Sequence, residues 1–342
     1  MAIVFRSQEV KSTILDPRRD FAPVTHDMEF RYDPLTGRSS RLAHFGAIRP
    51  VPLNLDDYDG ENKGFCPFCP PNLEKITTRF PPELVPEGII RRGEASVIAN
   101  IAPYDAYSGL VIVSDKHVLS LEDMTQSRLS DALAAGLDFL CRVKSYDRGM
   151  SYTFMGWNYM PPSGGGLIHA HIQAFGSQNP GNLYMESLQA SNNYREEFGR
   201  SFWQDYLSEE KRLGQRFLGE HDGISWFVPF APLGIIGDVA AIVPGVTVPE
   251  SVSPDTVDAL ASGIRRLFNY YSASQIYSFN ASFFFAPDKD ADFPLQIRFS
   301  ARTFLNTRFF PPDTNFFQMM LQQPMCVIRP EEIAREISPY FK

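Results

Sequence analysis

The chain predicts an α+β fold in which antiparallel sheets are covered by helices and one unit occurs twice. Three observations lead there. Among its 342 residues are 28 Phe and 14 Tyr, a bias that favours sheet. Short apolar, strand-like runs alternate with two long stretches of helical periodicity. The runs also recur in the same order in the second half of the chain.

In the first copy, Ser96 to Pro103 precedes the apolar run Leu110-Val-Ile-Val113; in the second, Ser225 to Pro232 precedes Ala240-Ala-Ile-Val243. A polar turn and a helix follow each. The first helix places Leu129, Leu133, Leu137 and Leu140 on one face. The second does the same with Val257, Leu260, Ile264, Leu267 and Phe268, after a Ser253-Pro254 start signal. The next strands, Met150 to Phe154 and Tyr277 to Ala281, stand 127 residues apart (Ser151 to Ser278). That offset carries His169 onto Gln296 and His171 onto Arg298, so one half has histidines that its twin lacks. The predicted division is a catalytic half at 1–181, a helical connector packed on the sheet at 182–219, and a second half without the histidines at 220–342. The first sixty residues, rich in Pro, Arg and Asp, are expected to wrap the surface as loops and short strands.

A formal charge of −8 argues against a nucleic-acid surface, so phosphate must be met by local Arg or Lys. The N-terminal residues lack the apolar core of a secretory signal, and no apolar run reaches membrane-span length. A cytoplasmic enzyme with neither nucleic-acid nor membrane partners fits these bounds. Of the four cysteines, Cys141 and Cys326 read as small buried apolar residues. Cys66-Pro-Phe-Cys69 has the spacing of a zinc knuckle; a redox dithiol is the alternative, disfavoured by prolines at 67, 70 and 71.

His169-Ala-His-Ile-Gln173 follows Ser163-Gly-Gly-Gly166. Read as a strand, it projects His169, His171 and Gln173 to one face. Imidazole can attack phosphorus, and free N–H groups of a glycine turn can hold charged oxygens. The alternative is two half-exposed histidines satisfied by water or carbonyls.

With Arg31-Tyr-Asp-Pro-Leu-Thr-Gly37, Ile48-Arg-Pro50, Cys66-Pro-Phe-Cys69, Ser114-Asp-Lys-His117 and the His-x-His-x-Gln strand in that order, the chain resembles the galactose-1-phosphate uridylyltransferase family of the histidine-triad superfamily, in its transferase and phosphorylase branch. The family usually has Pro where this chain has Ala170. The resemblance implies duplicated histidine-triad-like units and a structural zinc held by Cys66, Cys69, His117 and His169. Two thiolates and two imidazoles complete a tetrahedron with no open position. It further implies His171 as the nucleophile, attacking the α-phosphorus of a nucleotide-sugar to give a nucleotidyl-histidine. The other ring nitrogen should then donate to a backbone carbonyl.

Gln173 is expected on a phosphoryl oxygen, and Ser163 with the N–H groups of Gly164, Gly165 and Gly166 on the developing charge. Asn158 is expected to hold this loop or the phosphate, with a plain turn residue as the alternative. Arg31 and Arg49 are candidates for base, ribose or phosphate contacts. Arg298, Arg302 and Arg308 are candidates for gripping an acceptor phosphate, against the alternative of salt bridges on a sheet face.

The family's second metal site is expected to be absent, since its two histidines fall on Gln296 and Arg298. Thr314 to Leu321 lacks the tyrosine–glutamate pair of hexose recognition, so galactose 1-phosphate is not the favoured acceptor. Transfer of a nucleoside monophosphate between sugar 1-phosphates ranks first. A phosphorylase splitting a nucleotide-sugar or dinucleoside polyphosphate with inorganic phosphate ranks second, and a zinc-stabilised nucleotide-binding protein third. The resemblance also implies a homodimer, with Phe283-Phe284-Phe285 at the contact or in the core.

Overall fold

The computed structural model describes residues 3–51, 54–59, 63–289, 291–306, 308 and 310–342. In chain order its elements begin with β1 (Arg6–Asp16), β2 (Ala22–Tyr32), β3 (Ser39–Leu42), α1 (Asp56–Asp59) and α2 (Asn72–Lys75). The first half continues with β4 (Ile90–Arg92), β5 (Ala95–Ala99), β6 (Tyr107–Ile112), α3 (Gln126–Tyr146), β7 (Tyr152–Tyr159) and β8 (His171–Ser177). Two helices follow, α4 (Asn182–Phe198) and α5 (Phe202–Leu213). The second half comprises β9 (Phe217–His221), β10 (Ile224–Phe227), β11 (Asp238–Val243), α6 (Pro254–Ala273), β12 (Ser278–Phe284) and β13 (Leu295–Arg302). Last come α7 (Phe316–Met319), β14 (Met325–Cys326) and α8 (Pro330–Ile337).

Ten of these strands form one antiparallel sheet in the order β4-β5-β6-β8-β7-β12-β13-β11-β10-β9. Read inward from either edge, each half runs first, second, third, fifth, fourth strand, with α3 or α6 between the third and fourth. β7 pairs with β12 at the centre and joins the halves into one sheet. Both covering helices form where their periodicity predicts. Thr125 caps α3 by accepting from the Arg128 N–H, and Ser253 caps α6 ahead of Pro254. α4 and α5 end on Gly199 and Gly214, whose φ of +68° and +65° suits glycine.

The ladder register corrects the correspondence between halves. His171 lies opposite Ile112, and Gln296 lies opposite Ile242. Those two isoleucines are equivalent in the matched runs Leu110–Val113 and Ala240–Val243, so Gln296 takes the place of His171 and Arg298 that of Gln173. A constant offset fails because the halves differ in loop length between their third and fifth strands.

One sheet face packs on α3 and α6 through Val111, Ile172, Ala174, Phe279, Phe283, Ile297 and Phe299. The opposite face has two separate covers. The Cys66–Cys69 loop and α2 lie on β5 and β6, with Phe68 and Leu73 against Ile98, Leu110 and Ile112. α4 and α5 lie on the second half, with Tyr184, Trp203 and Tyr206 against Phe227, Ala240 and Ile242. Between the covers runs a row of paired residues: Gln173, Gly156, Ser282 and Arg298. Phe283 and Phe285 are buried core residues, which assigns that triplet's flanks to packing.

The first sixty residues differ from expectation. β1 and β2 pair along their full eleven residues each, from Arg6↔Tyr32 to Asp16↔Ala22, as one long and mostly exposed hairpin. Its turn is set by Asp16 accepting from the Arg18 N–H and by Asp20 and Phe21 at positive φ. No helix among the described residues is long and apolar enough to cross a membrane.

Gly263 of α6 tests the closeness of the helix to the sheet. A Cβ there would lie 2.2 Å from the ring of Trp226 on β10, which is fully buried. Gly263→Ala is expected to lower unfolding stability by about 1–3 kcal/mol through overpacking, although alanine favours helix by about 1 kcal/mol. Urea unfolding measures it; a rise in the midpoint would contradict this packing.

Candidate active site

Cys66 and Cys69 sit on a loop closed by α2. The Asn72 side-chain amide donates to the Cys66 carbonyl (2.9 Å), and the Leu73 N–H donates to that of Cys69 (3.2 Å). His117 follows β6, and His169 lies in the segment that leads into β8. The four side chains are buried, and one ligand atom from each lies within 4.8 Å of all the others. Cys69 Sγ is 3.3 Å from His117 Nδ1 and 3.4 Å from His169 Nδ1; Cys66 Sγ is 3.6 Å from His169 Nδ1. Ligands at zinc-type bond lengths stand about 3.3–3.8 Å apart along the edges of a tetrahedron. The donor set and its spacing therefore fit a metal ion.

His169 is prepared for that role. Its Nε2 donates to the Ser114 carbonyl at 2.7 Å, which leaves the Nδ1 lone pair facing the thiols. Burial pushes its pKa down to about 4, so the ring is neutral at physiological pH.

His171 opens β8. Its Nδ1 donates to the carbonyl of His169 at 2.9 Å, the tautomer-fixing bond expected from the sequence. Nε2 has no protein partner among the described residues. Burial pushes the ring's pKa below the usual histidine range, against the pull of that backbone hydrogen bond, so Nε2 carries a lone pair. Phe68 makes T-shaped contacts with both rings, its centroid 5.8 Å from that of His169 and 5.4 Å from that of His171. Gln173, two residues on, lies on the same face beside Gly156.

The glycine turn is built differently from expectation. The Ser163 hydroxyl points inward to the carbonyls of Tyr159 (2.9 Å) and Met160 (2.7 Å). The N–H groups of Ser163, Gly164 and Gly165 donate to Met160, Pro161 and Met160 respectively. They close a tight turn and are not available to a substrate oxygen. Of the four residues expected to receive charge, Gly166 alone keeps an N–H with no protein acceptor among the described residues. Gly164 has a φ of +85°, and a Cβ on Gly165 would lie 2.9 Å from the Asn158 carbonyl, so both glycines serve the turn's shape.

Asn158 holds this turn indirectly. Its side chain accepts from the amide of Asn280 (2.6 Å), which also donates to the Ser163 carbonyl (3.0 Å). Arg302 in turn donates to Asn280 and pairs with buried Asp313. The second half thus grips the first half's glycine turn through Asn280. Sequence reasoning missed Asn280, Asp313 and the roles of Ser114 and Phe68; Asn280 reaches the turn through the β12–β7 pairing that sets it opposite Asn158, and nothing local marks it.

The arginine candidates are mostly structural. Arg31 is buried, bonded to Glu29 (2.8 Å) and Glu331 (2.9 Å) and set over the Phe230 ring. Glu331 also holds Arg216, which pairs with fully buried Glu210. Removing one member of such a cluster leaves an uncompensated charge, costing about 3–5 kcal/mol, so Arg31 is occupied by the fold. Arg298 pairs with buried Asp238 at 2.7 Å, and Arg302 with Asp313, so the sheet-face salt bridges are what the structure contains. Arg49 is exposed, with no protein partner among the described residues. Val51, two residues on, donates to the Thr303 hydroxyl beside Arg302.

No protein-family model matches the chain. An uncharacterized protein of Archaeoglobus fulgidus is 28% identical over 313 residues, covering 91% of each chain. Among solved structures, an ADP-glucose phosphorylase from Arabidopsis thaliana with bound ADP-glucose superposes with a TM-score of 0.70 at 15% identity, over 91% of this chain and 98% of that one. A GalT-like protein from the same plant gives 0.69 at 15% identity over 90% and 98%, and a uridylyltransferase 0.64 at 17% over 91% and 98%. The chain shares the fold of these GalT-like, ADP-glucose phosphorylase and uridylyltransferase structures.

Proposed function

We propose that this chain is a nucleotidyltransferase. It takes a nucleoside monophosphate from a nucleotide-sugar, holds it on His171, and passes it to a phosphate-bearing acceptor. The observation that carries this is the hydrogen bond from His171 Nδ1 to the His169 carbonyl, which leaves Nε2 as the free nucleophilic nitrogen.

In the first step the Nε2 lone pair forms a bond to the α-phosphorus. The bond from that phosphorus to the bridging oxygen breaks, and a sugar 1-phosphate leaves with the electron pair. In the second step a phosphate oxygen of the acceptor attacks the same phosphorus, and the nitrogen–phosphorus bond returns its electrons to Nε2. Nδ1 keeps its proton throughout. The Gln173 amide and the Gly166 N–H are the donors left to meet the phosphoryl oxygens. Arg49 remains the candidate for the nucleotide side.

Cys66, Cys69, His117 and His169 would hold zinc. With all four positions filled by protein, the ion supplies structural bracing and no open coordination site. In this reading residues 1–181 carry catalysis and residues 220–342 support it. A cytoplasmic, homodimeric enzyme is part of the same reading and rests on composition and the sequence resemblance.

A sugar 1-phosphate is the first choice of acceptor. Inorganic phosphate is a second reading, supported by likeness to the solved ADP-glucose phosphorylase. Arg298 and Arg302, the candidate grips for an acceptor phosphate, are bound up in internal ion pairs and favour neither acceptor.

Three outcomes follow. Incubation with UDP-glucose or ADP-glucose, plus either a hexose 1-phosphate or phosphate, should release glucose 1-phosphate in the presence of one acceptor class. Chromatography of the products identifies that class, and His171→Ala should slow release by a factor on the order of 10⁴ or more. Asn280→Ala should slow turnover by roughly 10–100-fold through misplacement of the glycine turn, with metal content unchanged; full activity would remove Asn280 from the site. Elemental analysis should find close to one zinc per chain. Cys66→Ser should lose it, with stability falling by on the order of several kcal/mol in a thermal melt.

A further inference from the structure

β1 forms the open edge of the four-stranded sheet β1-β2-β3-β14. It runs eleven residues without a bulge, Pro or Gly and is exposed along nearly its whole length. Edges of that length are normally blunted, and a two-stranded ribbon standing in water is marginal. Register shows which backbone groups are open. Asp33 donates to the Arg38 carbonyl at 2.8 Å, one pair beyond Tyr32↔Ser39, so odd-numbered residues of β2 turn their N–H and C=O groups to β3. Its even-numbered residues therefore bond β1, through Arg6, Gln8, Val10, Ser12 and Ile14. Ser7, Glu9, Lys11 and Thr13 are left with donors and acceptors aimed outward.

The two faces of this ribbon differ. On one, Val10 lies beside Met28 and Ile14 beside Val24. On the other, Glu9 stands opposite Glu29, a like-charge pair in the closer, non-hydrogen-bonded geometry. Arg31 holds Glu29 at 2.8 Å, while no cation pairs with Glu9 among the described residues. A second β1 laid antiparallel on this edge supplies one. Only registers that join odd residues to odd residues match the open groups. Centred on Glu9, the pairing sets Glu9 against the partner's Glu9; centred on Lys11, it sets Lys11 against the partner's Lys11. Centred on Val10, it sets Glu9 against the partner's Lys11 on both sides of the axis, and Ser7 against the partner's Thr13. That register also lines up Met28, Val10, the partner's Val10 and the partner's Met28 in one apolar row. Charge complementarity within β1 thus selects both the occupant and the register.

We propose that β1 is a self-association edge: two copies of this chain pair through it about a two-fold axis at Val10, joining their four-stranded sheets into one continuous sheet. Ser7 with Thr13, and Glu9 with Lys11, exchange main-chain hydrogen bonds on each side of the axis. The inference gives a definite contact to the homodimer of the preceding reading and rests on that part of it alone. Nothing in it depends on chemistry at His171.

Sedimentation analysis of the full chain across the micromolar range, alongside Glu9→Lys, Lys11→Glu and the double exchange, tests it. The unaltered chain should dimerise. Each single variant sets like charges opposite each other at both symmetric positions and should weaken the dimer about 10–100-fold, and the double exchange should restore it. Residue-resolved amide exchange should find Ser7, Glu9, Lys11 and Thr13 protected in the dimer and unprotected in Lys11→Glu, with Gln8, Val10 and Ser12 protected in both. A dimer indifferent to both single variants, or without protection at those four amides, overturns this contact and leaves the homodimer standing. A double exchange as weak as the single variants overturns the register and with it the proposal. A monomeric unaltered chain overturns contact and homodimer together.

Discussion

The carbonyl of His169 orients the imidazole two residues ahead of it, and the rest of the site is arranged around that bond. A backbone acceptor is only as well placed as its own residue. His169 is held at its ring by two thiols on one side and by the Ser114 carbonyl on the other. Position is therefore passed along a short chain, from the Cys66–Cys69 loop to one imidazole and from its peptide to the next. A ring on an edge of sheet without such anchoring would sample rotamers and tautomers, and a fixed nucleophile gains from losing both freedoms.

The duplicated architecture gives a structural role to a second half that lacks counterparts of His169 and His171. A single five-stranded unit would leave β7 as an open edge, and β12 closes it. The same pairing delivers Asn280 to the glycine turn, so the second half contributes geometry to the first half's turn. The buried Arg31–Glu331–Arg216–Glu210 cluster ties the N-terminal hairpin and the C-terminal helix α8 to the second half. Residues 300 positions apart thereby meet in one electrostatic knot.

How much of this could be read beforehand follows the range of each interaction. Helices α3 and α6 were legible because periodicity and caps are local. The Cys66–Cys69 pair was legible through its spacing, His117 and His169 only through the family resemblance, and the Nδ1 bond of His171 through the chemistry a nucleophile needs. The arginines were not: Arg31 meets Glu331, and Arg298 meets Asp238, through pairings that only the folded sheet creates. Ser163 and its glycines look like a free anion cradle in one dimension, yet the tightness of the turn consumes their N–H groups internally. The two-residue slip between halves has the same origin, since register is set by ladder hydrogen bonds and not by counting along the chain.

The proposed reaction turns on a nucleotide bonded to the imidazole at 171, and intact mass of the chain mixed with a nucleotide-sugar, with no acceptor present, reads that bond. The expected result is a gain equal to one bound nucleoside monophosphate, mapping to His171, stable to base and released by acid. An unshifted mass under conditions where the nucleotide-sugar is nonetheless consumed would contradict it.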